Sequence, residues 1–273
     1  MSFLQIIVLA LIQGITEYLP VSSTGHLILA PAFMGWQDQG FVTDMITNLG
    51  TLAATTIYFW RDVLAMFRGL GDIAQRRQTA ASRLVINVII GTIPVLVFGL
   101  ILKKTGIMDH LRSPMIVAID FIVWGIVLYI ADSFGLMRNT VRDLTWRSAI
   151  IIGGFQCLSL FPGTSRSGIT MTGGRFLGFM RPEAARFSFL LSIPANLAAS
   201  VFVLKDAIGA GETIHTDQII CGVLTFFVGL GTIAFLMRIV RSWSFMPFVA
   251  YRIIFGAAIL GLVFAGYPLG TVN

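Results

Sequence analysis

Apolar residues fall along this chain in blocks of two lengths. Six blocks are long: 41–60, 84–102, 114–130, 184–204, 218–237 and 246–265. Each approaches the roughly 20 residues that a helix needs to cross a bilayer. The pattern therefore predicts six spanning helices, with Pro94 a kink in the second. Four blocks are short, and they come in pairs. Blocks 3–12 and 27–34 flank the polar run Gln13-Gly14-Ile15-Thr16-Glu17-Tyr18-Leu19-Pro20-Val21-Ser22-Ser23-Thr24-Gly25-His26. Blocks 148–161 and 171–180 flank Pro162-Gly163-Thr164-Ser165-Arg166-Ser167-Gly168-Ile169-Thr170. Two short apolar arms around a Pro/Gly bend predict a re-entrant hairpin, which is tolerated at membrane depth only where protein or a water-filled cavity surrounds it. Segments 61–83, 103–113 and 132–147 read as polar loops, the first and last basic.

The order hairpin, span, span, span occurs twice. Gln13 and Gly25 recur as Gln156 and Gly168 at the same separation, and Val117-Ala118 with Gly125 resemble Val249-Ala250 with Gly256. Three spans per half turn the second half over relative to the first, the plan of an inverted-topology repeat. The expected fold is an all-α polytopic membrane protein, each half one re-entrant helical hairpin plus three transmembrane helices. It forms a single membrane domain over 1–273, with repeat one at 1–132 and repeat two at 146–267.

Composition agrees. The 273 residues are 56% hydrophobic and 12% charged, with mean hydropathy +0.86, which excludes an ordinary soluble domain. The net charge of +6 does not imply a nucleic-acid partner, because no basic cluster is interleaved with aromatics on a soluble face. Basic residues instead sort by side. With the termini on one side, the other holds Arg61, Arg68, Arg76, Arg77, Arg83, Arg138, Arg142, Arg147, Arg175, Arg181, Arg238 and Arg241. The termini's side holds Lys103, Lys104, Arg112 and Lys205. The positive-inside rule makes the arginine-rich side cytoplasmic and leaves both termini outside. The N-terminus lacks a basic leader region and is read as retained. Cys157 and Cys221 sit in apolar runs with no metal or disulfide spacing.

Ionisable groups inside a membrane are costly, so both bends read as functional. In the second, Arg166 lies among Ser165, Ser167, Thr164 and Thr170, with glycines that admit close backbone approach. Guanidinium grips phosphate oxygens as a fork, and a following helix aims its positive end at the same place. Ser165, Arg166, Ser167 and Thr170, with Thr24 from the first bend, form the expected pyrophosphate-binding set. The first bend supplies Glu17 as base or metal ligand, His26 as nucleophile, acid or base, and the hydroxyls of Ser22, Ser23 and Thr24. Gln13 and Glu17 share a helix face at i, i+4. Two oxygen ligands there suit a divalent cation, Mg²⁺ or Ca²⁺. Meeting hairpins would give an anion clamp, a base and a nucleophile, which suits phosphoryl transfer or phosphate-ester hydrolysis on a lipid-borne phosphate. The other reading is a transporter or flippase of an anionic lipid or solute. It uses the same inverted repeat but has no need of the Glu17/Ser23/His26 cluster. Asp120 and Arg252 occupy equivalent places in the two repeats, paired with each other or with polar bend groups. No role is assigned to His110 or His215.

Gln13-x-x-x-Glu17, Leu19-Pro20-Val21-Ser22-Ser23-Thr24-Gly25-His26 and the run 162–170 resemble the undecaprenyl-pyrophosphate phosphatases, also called bacitracin-resistance proteins. The resemblance extends over essentially the whole chain. It implies a bacterial inner-membrane hydrolase that converts undecaprenyl pyrophosphate to undecaprenyl phosphate and inorganic phosphate, recycling the carrier lipid for peptidoglycan. It also implies an inverted repeat with two re-entrant hairpins, a site open to the periplasm and support by divalent cations, and it is compatible with a homodimer. By position, the family's catalytic residues fall on Glu17, Ser23, His26 and Arg166. Gln13 stands where the family has Glu or Gln, which weakens metal binding there, and Asn48 stands where Gln is usual. Ser23 and His26 both remain open as the nucleophile.

Overall fold

The structure is a computed structural model that describes residues 1–37, 39–105 and 113–267. Of the expected loop 103–113, His110 and Arg112 lie outside the described residues. The elements are α1 (Phe3–Thr16), α2 (Ser23–Met34), α3 (Gly40–Tyr58), α4 (Trp60–Ala74), α5 (Ala80–Thr105), α6 (Pro114–Phe134), a 3₁₀ turn (Val141–Asp143), α7 (Trp146–Leu158), α8 (Arg166–Phe176), α9 (Arg181–Gly209), α10 (Thr216–Ile239) and α11 (Met246–Phe264). No strand occurs among the described residues beyond one isolated bridge, Asn139 to Phe179.

Among the described residues, five helices are long and apolar enough to cross a membrane: α5, α6, α9, α10 and α11. The sixth expected span, α3, has the length, at 19 residues, but lacks the hydropathy. Its polar residues are accommodated internally. Thr43, Thr47, Thr51 and Thr55 are buried, and their hydroxyls donate to carbonyls one turn back on the same helix or its cap. With hydroxyls satisfied this way, the threonine face of α3 packs against α1, α9 and α10, while Leu49 and Ile57 stay exposed on its other side. Segment 61–83, expected as a polar loop, is mostly helix α4. Trp60, Val63, Leu64, Phe67, Leu70 and Ile73 recur at the spacing of an amphipathic helix, which a search for long, uniformly apolar blocks passes over.

The packing is reciprocal. α1 lies on α10 as α7 lies on α5, and α6 pairs with α11. At one end of the bundle, the Met1 ammonium pairs with Asp217, Gln218 Nε2 donates to Thr43 Oγ1 at 3.1 Å, and Lys103 pairs with Asp206 at 2.7 Å. These contacts gather the outer end of α1, the start of α3 and α10, and the ends of α5 and α9. At the other end, Asp132 accepts from Arg175 (3.0 Å), Arg181 (2.7 Å) and the Phe245 N–H (3.0 Å). Arg186 of α9 pairs with Asp62 of α4. Here the ends of α6 and α8 meet the starts of α9 and α11.

Backbones approach closely where α3 crosses α10. A Cβ added at Gly50 would stand 2.3 Å from the Gly222 carbonyl oxygen, which cannot rotate away. Gly50→Ala is expected to cost about 1–3 kcal/mol through this overpacking, seen as a lowered melting temperature in detergent. An unchanged melting temperature would contradict the contact.

Candidate active site

Each bend is built by the same device. Helix α1 ends at Glu17, whose N–H still bonds the Gln13 carbonyl. Tyr18 then anchors the turn, its hydroxyl donating to the Thr51 carbonyl of α3 at 2.6 Å. At Ser22 the backbone enters the left-handed region, φ +73°, and the Ser22 hydroxyl caps α2 by accepting from Gly25 N–H at 3.3 Å. In the second bend Ser165 has φ +74° and caps α8 by accepting from Gly168 N–H at 3.1 Å. A left-handed non-glycine residue costs about 1–3 kcal/mol and persists where surrounding structure holds it, commonly at functional sites. The result is that Ser23 and Arg166 are each the first residue of a helix, so two positive helix ends look into one space.

There the bends join. Arg166 Nη2 donates to Glu17 Oε1 at 2.7 Å, and Ser23 Oγ donates to the other oxygen, Oε2, at 2.7 Å. Gln13 Nε2 donates more weakly to Oε2, at 3.3 Å. The Glu17 and Arg166 side chains are 10% and 13% exposed, so the ion pair is largely desolvated yet reachable. It borders a cavity of about 250 Å³. Ser22, Ser23, Thr24, Ser165, Arg166 and Glu17 line one side. Gln39, Asp44, Asn48 and Asn196, from the start of α3 and from α9, line another. Leu27, Ile28, Leu160 and Phe161 supply an apolar margin. A hydroxyl bonded to a carboxylate, with a guanidinium and helix ends beside it, is the arrangement of an activated nucleophile next to an anion clamp.

Not every expected residue faces this cavity. Ser167 is buried and donates to the Leu19 carbonyl at 3.1 Å, tying bend to bend. Thr170 is buried and donates to the Arg166 carbonyl at 2.8 Å, with Ser188 Oγ at 2.6 Å. Both lie on the inner side of α8, one helical face away from the cavity, so they brace the clamp and do not line it. His26 also turns away. Its Nδ1 lies 2.6 Å from the Ser22 carbonyl, which can only accept, so Nδ1 carries the hydrogen and Nε2 accepts from the Tyr251 hydroxyl at 2.6 Å. The ring stacks on Tyr251 and Phe255 of α11 and is not part of the cavity lining. Of the four expected catalytic residues, Glu17, Ser23 and Arg166 come together and His26 does not.

Arg252 resolves its open pairing. It is fully buried and donates to five backbone carbonyls: Pro20 (3.2 Å), Gly163 (2.9 Å), Thr164 (3.1 Å), Asp120 (3.0 Å) and Phe121 (3.1 Å). It thus holds the two bends to α6, bonding the backbone of Asp120 and not its carboxylate. Asp120 instead accepts from Thr164 at 3.5 Å.

The donor set fits a hard cation. Gln13 Oε1, in a residue only 2% exposed, has no partner, and neither has Gln39 Oε1. Both residues line the cavity beside two carboxylates. No group of three His, Cys, Asp or Glu occurs among the described residues, but Mg²⁺ commonly uses one or two carboxylates with water and substrate phosphate. Asp44, Gln39 and Asn196 were not singled out from sequence. Asp44 had a usable signal, a carboxylate in an apolar block with Asn48 four residues on.

The chain matches, over residues 6–258, the family described as Bacitracin resistance protein BacA. It is 43% identical over 266 residues to the undecaprenyl-diphosphatase of Ruegeria sp. (strain TM1040), covering 97% of this chain and 100% of that one. It is 42% identical over 267 residues to the undecaprenyl-diphosphatase of Jannaschia sp. (strain CCS1), covering 97% and 100%. The protein of that name from Erythrobacter litoralis (strain HTCC2594) is 42% identical over 283 residues, covering 95% and 99%.

Proposed function

The chain belongs to the bacitracin resistance protein BacA family, and from that premise we propose that it is an undecaprenyl-diphosphatase whose active site is the junction of its two bends. The observation that carries the site is Glu17 bonded at once to Ser23 and Arg166, one partner from each bend. The protein is a multi-pass membrane protein, so a substrate with a membrane-embedded tail and a diphosphate head suits a polar cavity with an apolar margin. Removal of the terminal phosphate would return the carrier lipid for peptidoglycan synthesis and account for bacitracin resistance.

In the proposed mechanism Arg166, Ser165, Thr24 and the two helix ends bind the diphosphate. Ser23 Oγ attacks the terminal phosphorus and its proton passes to Glu17. The bond to the bridging oxygen breaks, and the departing lipid phosphate takes that proton. Water then attacks the phosphoserine, Glu17 accepts its proton and returns it to Ser23 Oγ, and inorganic phosphate leaves. A bound Mg²⁺ or Ca²⁺, held through Glu17 and Gln13, would offset phosphate charge.

His26 belongs to this reading as a positioning residue. Its Nδ1–H holds the carbonyl of Ser22, the strained residue that presents Ser23. His26→Asn, which keeps an N–H donor near Nδ1, is expected to lose less than about tenfold in turnover. Loss of a true acid–base group would cost about 10²–10⁴-fold, and a drop of that size would contradict the assignment.

The two hairpins enter from opposite ends. The outer end of α1 lies with the Asp217 contacts, that of α8 with the Asp132 cluster. This supports one membrane domain made of an inverted-topology repeat, two re-entrant hairpins meeting midway. The arginine excess at the Asp132 end supports an inner-membrane orientation with that end cytoplasmic, and termini and site opening periplasmic.

The test is phosphate release from undecaprenyl diphosphate by the purified protein, with and without chelator. Release that chelation suppresses and Mg²⁺ or Ca²⁺ restores is expected. A folded protein that releases none would favour transport of an anionic lipid.

A further inference from the structure

We infer that the substrate's prenyl tail leaves the cavity sideways, over the tip of the second hairpin and between α5 and α6, along Leu160, Phe161, Phe98 and Gly99. The inference rests on the phosphatase reading. It adds a tail passage on α5, a helix outside both sequence motifs.

A lipid diphosphate makes a geometric demand. Its head must reach the polar cavity while its tail stays in an apolar phase, because a long hydrocarbon chain is not tolerated in water. The cavity therefore needs an apolar exit that reaches lipid. Its apolar margin consists of Leu27, Ile28, Leu160 and Phe161. The first two are buried and committed elsewhere, Leu27 among residues of α1 and α10, Ile28 among residues of α6 and α11. Leu160 and Phe161 are half-buried and join none of the buried apolar clusters among the described residues. The margin is thus open on the side of the second bend.

That side leads to α5. The rings of Phe161 and Phe98 lie 6.4 Å apart, and a Cβ added at Gly99 would stand 3.7 Å from Leu160 Cδ1. Phe98 is half-buried, and its neighbours Val97, Leu100 and Ile101 are exposed on this spanning helix. Every step from the cavity to lipid is therefore apolar. The fold also leaves a gap there. α5 packs on the helices α4, α7 and α9, and α6 on α2, α8 and α11, so these consecutive spans share no helix partner. The second bend sits between them. It meets α5 through Leu160 and Phe161 and α6 through Gly163 and Thr164. A Cβ added at Gly163 would stand 2.7 Å from the Val117 carbonyl oxygen, and Thr164 donates to Asp120 at 3.5 Å. Phe98 lies little more than one helical turn before Lys103, whose pair with Asp206 belongs to the end of the bundle that holds Met1. The passage opens in the leaflet nearest that end.

The test is photo-cross-linking of the full-length protein in detergent. Phe98, or as a control the exposed Phe227 of α10, is replaced by p-benzoylphenylalanine. The probe is radiolabelled undecaprenyl methylenediphosphonate, which cannot be cleaved at the diphosphate. Label at position 98 that excess unlabelled probe removes is expected, with no such competed label at 227. A second measurement narrows the passage. Gly99→Phe is expected to raise KM for undecaprenyl diphosphate about tenfold or more, a step of about 1.4 kcal/mol, and to lower kcat by much less. No competed label at 98, or a wild-type KM in a folded Gly99→Phe protein, would overturn the inference. The probe binds without turnover, so the two readings part cleanly. Competed label at 98 in a protein that releases no phosphate would sink the phosphatase reading and leave the passage. Phosphate release without that label would do the reverse.

Discussion

Ser23→Ala is expected to lower phosphate release from undecaprenyl diphosphate by about 10⁴-fold or more, the scale on which removal of a nucleophile acts. The expectation follows from one contact: of the hydroxyls in the first bend, Ser23 Oγ is the one that donates to Glu17, at 2.7 Å. Alanine removes the attacking atom and little else, because the Ser22 hydroxyl, not that of Ser23, caps α2. The melting temperature should hardly move. Arg166→Ala gives a useful contrast. It removes transition-state charge stabilisation, worth about 10²–10³-fold, and leaves Glu17 buried without its counter-charge. That variant should lose both rate and stability. Since Ser23 and Glu17 act as one unit, Ser23→Ala with Glu17→Gln should be scarcely worse than Ser23→Ala alone. Turnover in Ser23→Ala within tenfold of the wild type, about 1.4 kcal/mol, would remove Ser23 from the chemistry.

Arg252→Met is expected to abolish the folded site, with the loss appearing as stability and not as catalysis. Methionine fills similar space but donates nothing. Five backbone carbonyls, on both bends and on α6, would lose their partner together. A hydrogen bond to a charged group is worth about 1.5–3 kcal/mol, so the sum is a large share of the ~5–15 kcal/mol that holds a typical fold. Arg252→Lys should recover only part of it, since one ammonium has three donors on a point charge and no planar fork. The measurement is the yield of monodisperse protein in detergent and its melting temperature. A wild-type melting temperature in Arg252→Met would show that the bends hold together without it.

How much of this was legible in the sequence depends on what each residue faces. The long helices were readable because lipid demands contiguous apolar runs. The bends were readable because lipid forbids what they contain. Helix α3 was readable as an element but not as to its surroundings: its threonines satisfy themselves on their own backbone, and hydropathy cannot tell such a helix from a marginal span. Helix α4 carries a readable amphipathic period, from Trp60 and Leu64 to Phe67 and Leu70, and was passed over because a reading for membrane spans looks for uniformly apolar blocks. Within the bends, residue types were informative and directions were not. Ser165, Arg166, Ser167 and Thr170 form one short run, yet α8 turns Ser165 and Arg166 to the cavity and the other two inward. His26 was drawn toward chemistry by its neighbours in sequence, but stacking on Tyr251 and Phe255, some 225 residues away, decides where its ring lies. Asp44 was visible as an oddity, and only its helix neighbours show that it looks into the same cavity as Glu17.

The central claim is that Ser23, primed by Glu17 and faced by Arg166, is the atom on which phosphate is transferred. It is tested most directly by rapid acid quench of the purified protein during turnover of undecaprenyl diphosphate labelled in its terminal phosphate, with the label then assigned to a residue. Acid-stable phosphate on Ser23, absent in Ser23→Ala, is the expected result. Acid-labile phosphate on His26, with Ser23→Ala still active, would contradict it.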